Sequence, residues 1–201
     1  MNRTRRVCLV VMTCIVMLFT TACGKDNTPF SHGSWSGNTY TSDFFGIRVQ
    51  LGSEWLVIDD ADLAKSVGVS DMSESSIQKV FDKGGTIREM IAARADGSSI
   101  NITVQDSDKT VALSEKDFFN LGLTFIKSQY ESMGQKCTVE KSSVNFLGKA
   151  TDCLDISLTQ NGKTLYCTLI PIFKSHYTAC IAFGSLSKPD LYLLLAMASA
   201  I

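Results

Sequence analysis

The sequence predicts an α+β fold, an antiparallel sheet of about six or seven strands with helices packed on its faces. Three observations predict it. Asp96-Gly97 and Asn161-Gly162 each sit between runs that alternate apolar and polar residues, the signature of tight hairpins. Strands joined by turns that short must run antiparallel. Residues 114–133 and 188–200 instead repeat apolar side chains at helical spacing, so helices interleave with the hairpins and must cover the sheet.

In chain order, the first segment is an address rather than a structural element. The basic start MNRTRR is followed by an uncharged run, 7–24, and by small residues before Cys23. This is the grammar of a secretory signal, here 1–22. An uncleaved spanning helix is the competing reading. The run is short for that and ends in polar Thr20 and Thr21. Residues 23–39, rich in Gly, Ser, Asn and Thr, read as a flexible linker, with His32 and Trp35 as solvated parts of the tether. The folded domain is then expected over 40–201.

Within it, GIRVQL (46–51) alternates as a half-buried strand, and WLVI (55–58) is a second extended run. Residues 59–67 and 73–82 are short helical candidates, the second with Ser73 as its cap and Ile77, Val80 and Phe81 as its stripe. A two-residue turn at Asp96-Gly97 would pair Ala93 with Ile100 and Ile91 with Ile102, all on one face. Residues 114–133 form the longest helix, capped by Ser114 and stopped by Gly134. Phe119, Leu123, Ile126, Tyr130 and Met133 make its buried stripe, which Phe118 and Phe125 widen. A meander follows: 137–147, 150–160, 164–173 and 178–183. The Asn161-Gly162 turn pairs Ile156 with Cys167 and Cys153 with Ile170. A closing helix, 188–200, is capped by Ser187 and carries Pro189 in its first turn.

Two resemblances attach to these residues. The Phe-Thr-Thr-Ala-Cys23 boundary resembles the lipobox of bacterial lipoproteins, with Thr20 where leucine is commonest. It implies a diacylglyceryl group on the Cys23 sulfur, cleavage before that residue, and a chain lipid-anchored on the extracytoplasmic face of a bacterial cell membrane. The stretch YTSDFFGIRVQL (40–51), leading through Gly-Ser-Glu to Trp55, resembles the start of PsbP-like and Mog1-like domains, with Gly52 where a proline often sits. The similarity extends to the later element order over 40–201. It implies an α/β/α sandwich used for binding and assembly rather than catalysis. No ligand residue of either family can be matched here.

Composition narrows function. The chain has 201 residues, with 19 basic against 20 acidic side chains and a formal charge of −1. That balance lacks the basic excess of a nucleic-acid binder. Loss of Arg3, Arg5 and Arg6 with the signal takes the charge from −1 to −4, so lipid rather than surface charge is expected to hold the protein to a membrane.

Catalytic, cofactor-binding and metal residues are expected to be absent. His176 is the one histidine of 40–201, at a turn tip, and no Gly-x-Ser-x-Gly elbow exists. Asp106-Ser-Asp108 and Asp59-Asp60-Ala-Asp62 could hold calcium but lack EF-hand spacing, and capping explains the second better. Cys137, Cys153, Cys167 and Cys180 permit two disulfides or four buried thiols, and Cys153 and Cys167 should point to opposite faces. The expected function is a non-catalytic protein- or envelope-binding module. The alternative is a carrier of a small apolar ligand beneath the aromatic helix.

Overall fold

The computed structural model describes residues 28–109 and 115–201. The signal segment, Cys23 and the Ser114 cap lie outside them. Two antiparallel sheets organise the chain. The smaller contains β1 (Ser34–Ser36), β2 (Thr39–Ser42), β3 (Ile47–Gln50) and β11 (Ala198–Ala200), in the order β1-β2-β3-β11. The larger has seven strands: β4 (Trp55–Val57), β5 (Thr86–Arg94), β6 (Ser99–Asp106), β7 (Lys136–Phe146), β8 (Lys149–Gln160), β9 (Lys163–Lys174) and β10 (Tyr177–Ser185). Their order is β4-β5-β6-β10-β9-β8-β7. Four helices complete the described residues: α1 (Asp60–Val67), α2 (Glu74–Phe81), α3 (Glu115–Ser132) and α4 (Lys188–Leu195).

Alternation along the large sheet sends its side chains into two cores. Ile170, Ile181 and Cys153 enter a core closed by the small sheet, α1, α2 and α4, together with Ile87, Ile100, Ile102 and Val104. Their chain neighbours Leu169, Ala182 and Leu154 enter the other core, under α3.

The Asn161-Gly162 turn forms as expected, with φ of +52° and +74° and Ile156 opposite Cys167. The Asp96-Gly97 hairpin is shifted by one residue: Ala92 faces Ile100 and Met90 faces Ile102. The loop has three residues, 95–97. Gly97 has φ +93° and donates its N–H to Arg94 O (3.1 Å), while Asp96 Oδ1 accepts from Ser98 N (2.9 Å). The shift puts Met90 and Ala92, rather than Ile91 and Ala93, into the core.

Other expectations are also corrected. Residues 28–39 are not a free tether. Phe30 is buried against Phe44, Phe45, Phe81 and Tyr177, and β1 pairs with β2 across Gly37-Asn38. The closing helix stops at Leu195, because 198–200 pair instead with β3, whose edge would otherwise be open. Ser73 stands at the α2 N-cap without capping it, its hydroxyl being bonded to Asp71. Met133 is exposed, beyond the last turn of α3 and level with the Gly134 stop. Asp59 does cap α1, accepting from Asp62 N at 2.9 Å.

Candidate functional site

The most heavily built polar site lies between the two sheets. On β5 the register slips between Arg88 and Met90, leaving Glu89 as the extra residue of a β-bulge. Alternation puts Glu89 on the core face with Ile87, the bulge brings Met90 to that face as well, and Glu89 is 0% exposed. A carboxylate so buried must be hydrogen-bonded. Glu89 Oε1 accepts from Gly33 N at 2.7 Å and from Tyr40 Oη at 2.6 Å, and Oε2 lies 2.6 Å from His32 Nδ1. His32 Nε2 is 3.5 Å from Asp60 Oδ1 at the start of α1. The N-terminal segment thus supplies every donor, and the large sheet supplies the acceptor.

Gly33 is required by space: a Cβ there would stand 2.2 Å from Tyr40 Oη and 2.7 Å from Thr41 O. Burial lowers the His32 pKa, but its hydrogen bond to Glu89 and the charges of Glu89 and Asp60 outweigh this and leave it raised. Burial, then the Glu89 charge, hold the Tyr40 phenol well above its usual range. By sequence His32 reads as part of a solvated tether, whereas its side chain is only 11% exposed, and Glu89 is not singled out. Gly37-Asn38, flanked by SWS and TYTS, was the available hairpin signal for β1. The signal for Glu89 is its spacing: period-two alternation puts it on the same face as Ile87 and Ile91, an acid on an otherwise apolar face.

A second cluster unites the Asp106-Ser-Asp108 carboxylates with His176, which the sequence offered separately from them. Asp106, Asp108 and His176 present ligand-type atoms within 4.8 Å of one another. His176 Nε2 is 4.0 Å from Asp106 Oδ1, and Nδ1 is 3.9 Å from Asp108 Oδ2. Burial raises the Asp106 pKa. Local bonds explain the geometry: Asp108 N donates to Asp106 Oδ1 (2.9 Å), and Ser107 N donates to His176 O (2.6 Å). The cluster adjoins the aromatic box, since the His176 and Tyr177 rings lie 4.0 Å apart and Tyr177 packs on Phe30.

Both histidines therefore face carboxylates. Cys137, Cys153, Cys167 and Cys180 are free thiols. Burial pushes Cys137 up to about 11 and the other three to about 12, the opposite of an activated nucleophile. Cys153 faces Ser142 and Cys167 faces Ile156, while Cys180 lies between Pro171 and Thr103, so none of these three is opposite another cysteine.

Several residues of the aromatic helix α3 pack closely on the sheet. Phe118, Phe119, Ile126 and Tyr130 are buried, and a Cβ on Gly122 would come within 2.6 Å of Leu154 Cδ1. A groove of about 400 Å³ lies elsewhere, between α1 and α2, and lysines 79 and 83 are among the residues lining it.

No protein-family model and no curated protein matches the sequence. Among solved structures, the chain is similar to cyanobacterial PsbP (CyanoP) from Synechocystis sp. PCC 6803. The identity is 10% and the TM-score 0.47, over 90% of this chain and 98% of that one. It is also similar to LpqN, involved in cell envelope biogenesis of Mycobacterium tuberculosis, at 11% identity and TM-score 0.40, over 76% and 82% of the two chains. A protein of unknown function from Pseudomonas aeruginosa, PA94, a putative regulator by its description, is 16% identical with TM-score 0.31, over 48% and 62%. The α+β class rests on this chain's own two antiparallel sheets and four helices. Among the described residues, no helix is long and apolar enough to cross a membrane.

Proposed function

We propose that this chain is an extracytoplasmic lipoprotein, anchored through Cys23, whose domain binds a protein or another envelope component without catalysing a reaction. The observation that carries the reading is the N-terminal order of features. A basic start, an apolar run and small residues lead to Cys23, and Phe30, seven residues later, is already in the core. The anchored cysteine is thus joined almost directly to a folded body. A span of seven residues reaches at most ~25 Å, so the domain would sit close to the bilayer. The raised pKa values of the four thiols, which make them poor nucleophiles, support a binding role.

The anchor is tested by intact-mass analysis of the membrane form. The expected result is loss of 1–22 and a diacylglyceryl adduct on Cys23; an unmodified, uncleaved chain overturns it. The variant Cys23→Ser should leave the membrane fraction. Binding is tested by crosslinking in intact envelopes followed by recovery of the protein, and repeated recovery of the bare chain counts against it.

A further inference from the structure

We propose that His32 and Glu89 form a pH-dependent clasp that fixes the root of the N-terminal segment to the folded domain, tight at acidic pH and looser at alkaline pH. The donors to Glu89 all come from residues 32–40, and Glu89 itself belongs to the large sheet. Among the described residues, this carboxylate collects both a side chain, His32, and a main-chain amide, Gly33 N, from the stretch between Phe30 and β1. Its state therefore bears directly on how firmly that stretch is held.

The chemistry of imidazole supplies the pH dependence. His32 lies between two acidic groups, Glu89 on its Nδ1 side and Asp60 on its Nε2 side. The doubly protonated ring presents an N–H to each. A neutral ring has one N–H and turns a lone pair toward the other carboxylate. The groups facing His32 are Glu89 from β5 and Asp60 from α1; Tyr40 from β2 donates to the other Glu89 oxygen, Oε1. Tyr40, with its pKa raised, remains a donor across the range concerned.

The sign follows from the raised His32 pKa. The stabilisation is fully present below the ordinary histidine value of 6.5. It is lost as pH climbs through the higher value of the folded state. The rest of the contact, Phe30 in its aromatic box, does not titrate, so the segment loosens without detaching. On the lipoprotein reading, loosening would lengthen the tether between Cys23 and the domain. The clasp itself does not depend on that reading.

Hydrogen exchange of the full chain, followed by mass spectrometry of peptides covering 30–36, tests the clasp. Protection is corrected for the intrinsic pH dependence of exchange. It is expected to fall several-fold between pH 5.5 and 8.5 in 30–36 and to stay level in β9 and β10. His32→Gln should abolish that fall. Glu89→Gln should lower protection of 30–36 at every pH, and if it does not fold, His32→Gln still decides. His176→Gln, which alters the neighbour of Tyr177, should keep the wild-type response, as should Cys23→Ser whatever the state of the anchor. Flat protection in the wild type, a pH response surviving His32→Gln, or one abolished by His176→Gln overturns the clasp.

Discussion

The two faces of the seven-stranded sheet are covered by different means. The face under α3 is dry: leucines and isoleucines, three aromatic rings and two buried thiols fill it, and shape alone specifies it. The opposite face encloses a carboxylate with directed donors beside an aromatic box. The contrast shows where this chain tolerates change. Apolar volume is interchangeable within limits. A buried charge is not, because deleting it strands its partners.

The sharpest way to break this comparison is a pair of swaps of similar size. Glu89→Leu leaves Tyr40 Oη, Gly33 N and His32 without their acceptor and should cost about 3–5 kcal/mol. Leu154→Met on the dry face should cost less than about 1.5 kcal/mol. Urea unfolding midpoints measure both, and equal losses would erase the distinction. Gly33→Ala comes next. Its Cβ would collide with Tyr40 Oη and the Thr41 carbonyl, and about 1–3 kcal/mol should be lost in the same assay.

The thiols probe the sheet's interior by reactivity rather than stability. With values of about 11 to 12, Cys137, Cys153, Cys167 and Cys180 should resist a disulfide-exchange reagent at pH 8 and react once urea unfolds the chain. Rapid labelling of the native protein would show that these strands open readily. The smallest effect is expected at Met133, which is 46% exposed. Met133→Lys should change stability by no more than about 0.5 kcal/mol, although helical periodicity assigns this residue to the core.

Legibility in the sequence followed the range of the interactions. Asn161-Gly162 specifies a two-residue turn through the backbone preferences of those two residues, and the strands on either side inherit its register. Asp96-Gly97 carries a similar signal, yet an aspartate that bonds Ser98 N supports a three-residue loop as well, and the register moved by one. The aromatic stripe of α3 was readable because a buried helix face repeats. Residues 28–39 looked like a tether because their polarity is real. Their hairpin is held by Phe30 and by a carboxylate more than fifty positions away.

What the sequence by itself determined is the local grammar: the helices, the antiparallel meander and the α+β class. Each rests on spacing within a few residues. Tertiary structure alone decided that Glu89 finds its donors in residues 32–40, that His32 belongs to a site, that His176 meets Asp106 and Asp108, and that 198–200 form a strand. The physical reason is that a β-bulge, an open sheet edge and a buried charge are resolved by partners distant in the chain. No local pattern records them.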